Sequence, residues 1–314
     1  MSDPIQQFLG HQAFVVLDGA LATELERRGA DLRDPLWSAK CLIETPALIR
    51  DVHLTYFRAG ADVATTASYQ ANFRAFEHRG IDHEEAARLM RAAVALASSA
   101  RDEFWDTGSN RGGRLRPLVA ASIGPYGATL GDGSEYRGHY SLDDQALAEF
   151  HRPRFRVLAE SGADLLAFET IPCLREALVL ARLLREFAPL RAWLAFSCRD
   201  GERNSEGEDV GSCVAALRGF EQIAAVGVNC TPPQYMTPLL RRMRAQTDAP
   251  LLIYPNSGEF YDAESKCWRA GHGALPFGGQ ARRWYGEGAR LIGGCCRTSP
   301  DDIRGIRQSA ALEH

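Results

Sequence analysis

Cysteine offers the softest ligand and the strongest nucleophile among the side chains, and it occurs eight times in these 314 residues. Three of the eight are placed to act together. Cys230 follows Asn229 at the end of one apolar run, and Cys295 and Cys296 stand side by side after Gly293-Gly294 at the end of another. Three protein thiolates with a fourth position open describe a catalytic zinc, whereas structural zinc sites are closed by four ligands. Zinc held by three thiolates carries a net charge of about minus one, which suits it to a fourth soft ligand better than to activating water. A substrate thiol, with a free pKa of about 8.5, is mostly protonated at neutral pH, and coordination deprotonates it. Its natural electrophile is a cationic methyl donor, a sulfonium or quaternary ammonium, because transfer neutralises both charges. In-line placement of the two would supply much of the rate.

Other readings compete with this one. Free cysteine is a common small core residue. Neighbours on a strand point to opposite faces, so Cys295 and Cys296 can share an ion only if the chain leaves strand geometry, which Gly293-Gly294 permits. Cys41, Cys173, Cys198, Cys213 and Cys267 are read as bystanders, with Cys173 and Cys198 near strand ends and open to oxidation. A metal hydrolase would prefer His and carboxylate ligands, and none of the eight histidines falls at an expected strand end. A non-catalytic zinc or thiol redox sensor, in which Cys230 pairs with Cys295 or Cys296 on oxidation, stays open.

The elements that must position these groups repeat along the chain. Eight apolar or β-branched runs read as strands: 14–18, 63–69, 118–123, 165–169, 192–197, 224–229, 251–254 and 290–293. Helical spacing lies between them at 46–58, 83–104, 143–160, 174–187, 210–220, 236–245 and 280–287. Eight strands alternating with helices in a chain of this length predict an α/β fold, a (β/α)8 TIM barrel, with residues 1–311 as one domain. No GxGxxG or GxxxxGK[ST] supports a nucleotide-binding sheet. Glycines in Ala59-Gly60-Ala61-Asp62, Ser161-Gly162-Ala163-Asp164 and Gly286-Glu287-Gly288-Ala289 fit helix ends leading into strands. Two long insertions, 126–140 and 256–279, are expected to be functional.

Composition narrows the class further. The chain is 45% hydrophobic and 24% charged with a net charge of −4, an ordinary globular balance that gives no case for nucleic acid. No apolar run reaches the roughly 18 residues of a membrane span. The opening Met1-Ser2-Asp3-Pro4 lacks a signal-peptide pattern, so a cytoplasmic location is expected. In that compartment the cysteines are not a disulfide framework. Leu312-Glu313-His314 resembles the remnant of an expression tag.

The expected strand ends carry a set of short segments: Leu17-Asp18-Gly19-Ala20 with Thr23-Glu24-Leu25, Ala67-Ser68-Tyr69-Gln70, Ser122-Ile123-Gly124-Pro125-Tyr126-Gly127, Phe168-Glu169-Thr170, Gly227-Val228-Asn229-Cys230 and Gly293-Gly294-Cys295-Cys296-Arg297. With these the chain resembles the homocysteine S-methyltransferase family, zinc-dependent (β/α)8 barrels. Asp34-Pro35-Leu36-Trp37-Ser38-Ala39-Lys40, Asp132-Gly133-Ser134-Glu135-Tyr136-Arg137-Gly138 and Tyr254-Pro255-Asn256-Ser257-Gly258-Glu259 are similar to its bacterial and plant branch. Phe168 departs from the small residue or cysteine that relatives often carry there.

The resemblance implies methyl transfer from S-methylmethionine, with S-adenosylmethionine as a second donor, to the zinc-bound thiolate of homocysteine, forming methionine. Betaine is the alternative donor. It implies Zn2+ on Cys230, Cys295 and Cys296, and Asp18 and Glu169 around the homocysteine ammonium. For Asp18 a turn or helix cap is the bland reading; for Glu169 burial without a partner would be costly. Backbone amides at Gly19 and Ala20 are expected to take the substrate carboxylate. Tyr69, Tyr126, Tyr136 and Trp37 are candidates to border the sulfonium, although aromatics there are commonly packing. Asn229 and Tyr254 are expected to orient ligands. Glu135, Asn256 and Glu259 are candidates for the amino acid end of the donor. The expected assembly is a monomer or small homo-oligomer.

Overall fold

The computed structural model describes residues 3–34, 36–258, 260–262, 267–269 and 277–312, with backbone alone for 260–262 and 267–269. The strands are β1 (Val15–Val16), β2 (Val63–Thr65), β3 (Leu118–Ile123), β4 (Leu165–Ile171), β5 (Ala192–Phe196), β6 (Ile223–Asn229), β7 (Leu251–Tyr254), β8 (Phe260–Asp262), β9 (Cys267–Arg269) and β10 (Ala289–Ile292). The helices are α1 (Pro4–Leu9), α2 (Leu21–Arg27), α3 (Cys41–Glu44), α4 (Pro46–Ala59), α5 (Phe73–Glu77), α6 (His83–Asp106), α7 (Asp144–Ala159), α8 (Leu174–Leu184), α9 (Val210–Ala216), α10 (Met236–Arg244), α11 (Phe277–Gly286) and α12 (Pro300–Ala311).

Eight strands run parallel in the order β1-β10-β7-β6-β5-β4-β3-β2. The ring closes between its ends through a single parallel bridge, Leu17 to Val63, and the Asp18 N–H donates to the Val63 carbonyl at 3.1 Å. The expected (β/α)8 TIM barrel is therefore the fold. Alternate side chains fill its interior, among them Val15, Leu17, Ala120, Ala167, Trp193, Leu252 and Leu291. Those facing outward pack under the helices. Helix α1 adds Ile5 and Phe8 to the inner cluster and thereby plugs one mouth.

The β3 and β7 ranges match the sequence reading, but β2 stops at Thr65, short of the expected Tyr69. Beyond it side chains replace the ladder: Ser68 Oγ donates to the Ser122 carbonyl at 2.8 Å, and the chain turns at Ala71 N–H to Ser68 O, 3.0 Å. Gly60, Gly162 and Gly288 take left-handed φ values of 112°, 83° and 104° where helices hand over to strands. Helices α1, α2, α3, α5 and α12 escaped periodicity. The first four span 6, 7, 4 and 5 residues, too short to repeat a face, while α12 announces itself by a capping box, Ser299 with Asp302. Within the 256–279 insertion β8 and β9 pair antiparallel. Among the described residues no helix is long and apolar enough to cross a membrane.

Candidate active site

Strand β6 ends on Asn229, and Cys230 immediately breaks its geometry with φ 46°, a left-handed value that a side chain adopts at a cost. Its N–H is still held by the Tyr254 carbonyl at 3.1 Å, so the turn aims the thiol while the backbone stays paired. After β10 the chain bends likewise. Cys295 N–H donates to Pro255 O at 2.8 Å, and Thr298 donates to the Cys295 carbonyl from N at 3.1 Å and Oγ1 at 2.6 Å. Gly293 and Gly294 serve close approach here. A Cβ on Gly293 would lie 2.5 Å from Leu17 Cβ, and one on Gly294 2.3 Å from Thr298 Oγ1.

These turns bring Cys230, Cys295 and Cys296 together, one ligand atom of each lying within 4.8 Å of the others. Cys230 Sγ is 3.4 Å from Cys296 Sγ and 3.2 Å from the Tyr136 hydroxyl. Cys230 is 5% exposed, while Cys295 and Cys296 are only half-buried, so the cluster opens on one side. Hydrogen bonds from Cys295, Cys296 and Tyr136 hold the Cys230 thiol well below its usual range, against burial. Serving Cys230 in turn pushes Cys295 and Cys296 well above it. Three convergent sulfurs that share hydrogen bonds with one another are a donor set that a soft, thiophilic cation completes.

Two carboxylates stand beside the thiols. Asp18 is 4% exposed and accepts from Thr65 N at 2.8 Å and Thr65 Oγ1 at 2.9 Å, so it caps no helix: the residue preceding α2 is Ala20. Glu169 is 9% exposed and accepts from Ser122 Oγ and, at 3.2 Å, from the Tyr254 hydroxyl. Burial pushes Asp18 up to about 8 and Glu169 up to about 7, with these hydrogen bonds pulling the other way. The like charge of Glu169 adds to the rise at Asp18. A buried pair of this kind is complementary to a cation.

Asn229 ties the thiols to β4. Its Oδ1 accepts from Thr170 N at 2.6 Å, its Nδ2 donates to Thr170 Oγ1 at 2.9 Å, and Nδ2 lies 3.9 Å from Cys295 Sγ. Tyr254 instead serves Glu169, accepting from Trp193 Nε1 at 3.1 Å. Trp37 packs edge-on against Tyr69 with centroids 6.2 Å apart, and Tyr69 lies near enough to Glu135, Cys230 and Glu169 to feel their charge. Tyr126 turns elsewhere, with its ring 5.3 Å from Tyr140 and 5.1 Å from Phe150 and its N–H on Glu176. The Ala20 N–H already donates to Thr298 Oγ1 at 3.2 Å. Asn256 Oδ1 accepts from Gly258 N at 2.9 Å, an Asx turn. Glu259 lies outside the described residues. Ser122 opened one of the family-like segments without a role of its own, and Thr65 and Thr298, which hold Asp18 and the Ala20 amide, lay outside them; an isolated hydroxyl carries no spacing signal.

The sequence model of the homocysteine S-methyltransferase family matches residues 15–310. The chain belongs to the homocysteine S-methyltransferase family. Among its relatives, homocysteine S-methyltransferase YbgG of Bacillus subtilis is 53% identical over 97% of this chain and 96% of its own. The selenocysteine Se-methyltransferase of Brassica oleracea var. italica is 46% identical over 94% and 88%. The metallated form of the homocysteine methyltransferase MmuM from Escherichia coli superposes with a TM-score of 0.88 at 44% identity, covering 98% of this chain and 99% of that one. The protein is thus a methyltransferase that moves a methyl group from a donor to homocysteine, on a barrel and with a cysteine cluster able to bind metal.

Proposed function

We propose that this homocysteine S-methyltransferase uses zinc on Cys230, Cys295 and Cys296, and takes its methyl group from S-methylmethionine, with S-adenosylmethionine as a second donor. The convergence of the three sulfurs within 4.8 Å carries the reading. Zinc bound there would supply a position at which the acceptor thiol ionises at neutral pH.

The residues divide the remaining work. Asp18 and Glu169 bind the homocysteine ammonium, whose charge offsets the cost of their burial. The turn at Gly19 and Ala20 receives the carboxylate, the Ala20 N–H exchanging its Thr298 hydroxyl partner for it. Asn229 orients Cys295 through its grip on Thr170, and Tyr254 orients Glu169. Tyr69, with Trp37 behind it, and Tyr136 border the donor's sulfonium and exclude water from it. Tyr126 supports this wall through Tyr140. The acceptor thiol releases its proton to solvent, and its sulfur then uses a lone pair to form the new S–CH3 bond. The old S–CH3 bond breaks with its electron pair staying on the donor sulfur, and the donor's positive charge disappears.

The test is a donor panel of S-methylmethionine, S-adenosylmethionine and betaine with homocysteine, read as methionine formed, alongside metal analysis. Expected are about one zinc per chain, its loss in each Cys→Ser variant at 230, 295 and 296, and preference for S-methylmethionine. Full activity without metal, or preference for betaine, would overturn the corresponding half.

A further inference from the structure

Glu135 is an active-site carboxylate that neither the metal ligands nor the acceptor requires. It sits in a single turn, Ser134–Tyr136, next to the tyrosine whose hydroxyl is 3.2 Å from Cys230 Sγ. The turn is rigidly seated. Ser197 Oγ donates to the Glu135 carbonyl at 2.8 Å and is itself held by Ser205 Oγ at 2.8 Å. On the other side the turn packs so closely that a Cβ on Gly127 would lie 2.7 Å from Glu135 N.

The carboxylate on this frame is incomplete. Glu135 Oε2 is buried and has no hydrogen-bond partner, and among the described residues no cation forms an ion pair with Glu135. Arg137, two residues on, acts on Glu135 only through its charge, which lowers the carboxyl's proton affinity; its hydrogen bonds go to Asp132 O at 2.8 Å and Ser134 Oγ at 3.2 Å, and it lies 3.3 Å from Asp132 Oδ2. The turn borders the reacting end of the site, since Tyr136 reaches Cys230 and Glu135 lies near enough to Tyr69 and Tyr136 for both to feel its charge. A bare buried carboxylate oxygen is costly unless a partner arrives with the ligand.

We propose that Glu135 is a specificity-determining residue that pairs with the positive charge on the methyl donor's reacting sulfur, and so separates the charged donor from its neutral product. This rests on the reading of a sulfonium donor given above. Transfer removes the charge from the donor sulfur, so the attraction vanishes with the reaction and the demethylated product is held no better than any thioether. Because the charge is already dispersing in the transition state, Glu135 contributes more to donor binding than to the chemical step.

The experiment compares zinc-loaded wild type with Glu135→Gln, which keeps the shape and removes the charge. Trimethylsulfonium, which has the onium charge and no amino acid end, and methionine, whose sulfur is neutral, are titrated calorimetrically; S-methylmethionine is followed by kinetics. In Glu135→Gln, trimethylsulfonium affinity should fall and donor KM rise about tenfold or more, with kcat less affected. Homocysteine KM and methionine affinity should stay within about twofold. Glu135→Asp, retaining the charge one methylene further back, should fall between, and it makes the same comparison should the Gln variant misfold. Equal weakening of methionine and trimethylsulfonium, no weakening of either, or no trimethylsulfonium binding by wild type would overturn the assignment. Failure of the wild type to use any sulfonium donor would instead sink the functional reading, and the trimethylsulfonium titration would still decide the role of Glu135.

Discussion

The Tyr254 hydroxyl donates to the Glu169 carboxylate at 3.2 Å while accepting from Trp193 Nε1 at 3.1 Å. The last residue of β7 thereby holds a carboxylate on β4 across the barrel mouth, and its hydrogen bond opposes the burial that pushes Glu169 up to about 7. Tyr254→Phe removes that opposition, so the carboxyl keeps its proton to higher pH. The acid limb of the homocysteine kcat/KM profile should move up by about one pH unit, with recovery in alkaline buffer. An unmoved limb would show that Glu169 does not need Tyr254.

Asp18 makes an opposite demand on stability and on binding. Its pKa rises from an ordinary 3.8 to about 8 in the fold, so across that window the native state binds more protons than the unfolded one. Stability of the ligand-free protein should therefore fall as pH rises through the window. Asparagine cannot ionise and can satisfy both Thr65 groups, accepting from N–H and donating to Oγ1. Melting of Asp18→Asn should come closest to wild type at about pH 4 and exceed it increasingly towards pH 8. Homocysteine KM should rise about tenfold or more, since an ammonium partner is lost. Thermal scans at the two pH values, with kinetics, check both halves.

Cys230 Sγ and Cys296 Sγ, 3.4 Å apart, need only a small approach to reach the roughly 2.05 Å of a disulfide. Mild peroxide on metal-free protein should link these two and abolish activity, and a reductant with zinc should restore it. Mass spectrometry of the digest is the check. The Cys295→Ser variant should still form the link and Cys296→Ser should not, and a Cys230 to Cys295 link in wild type would contradict the prediction.

Gly227 marks where the barrel wall admits no side chain. A Cβ there would lie 1.7 Å from the Leu252 carbonyl oxygen and 2.9 Å from Leu252 N, both backbone atoms of the paired strand β7. Gly227→Ala should cost more than about 4 kcal/mol and leave little folded protein. Gly108→Ala, where nothing lies within 4 Å, should change stability by no more than about 0.5 kcal/mol. Chemical denaturation of the two variants side by side measures the contrast.

The barrel and its thiols were legible early because both rest on local information. Alternation of eight apolar runs with helical spacing needs no long-range contact to read. Cys230, Cys295 and Cys296 advertise their chemistry by residue type and by falling at strand ends. Asp18 and Glu169 were marked by the family resemblance, and Glu169 also by the cost of leaving a carboxylate unpartnered at the end of an apolar strand.

Ring closure decided the rest. Whether two neighbouring cysteines share a side depended on where the strand stopped, and β10 stops at Ile292, just before Gly293 passes so close to Leu17 that a Cβ would not fit. The partners that tune the site, Thr65 for Asp18, Ser122 and Tyr254 for Glu169, and Thr298 for Ala20, sit 47, 47, 85 and 278 positions away. Such pairs arise because parallel strands bring remote stretches to one rim, and a hydroxyl carries no mark of which strand end it will face. The sequence by itself determined which chemistry the rim could hold. Tertiary structure decided its aim, because hydrogen bonds act only within a few ångströms and the barrel alone sets which residues come that close.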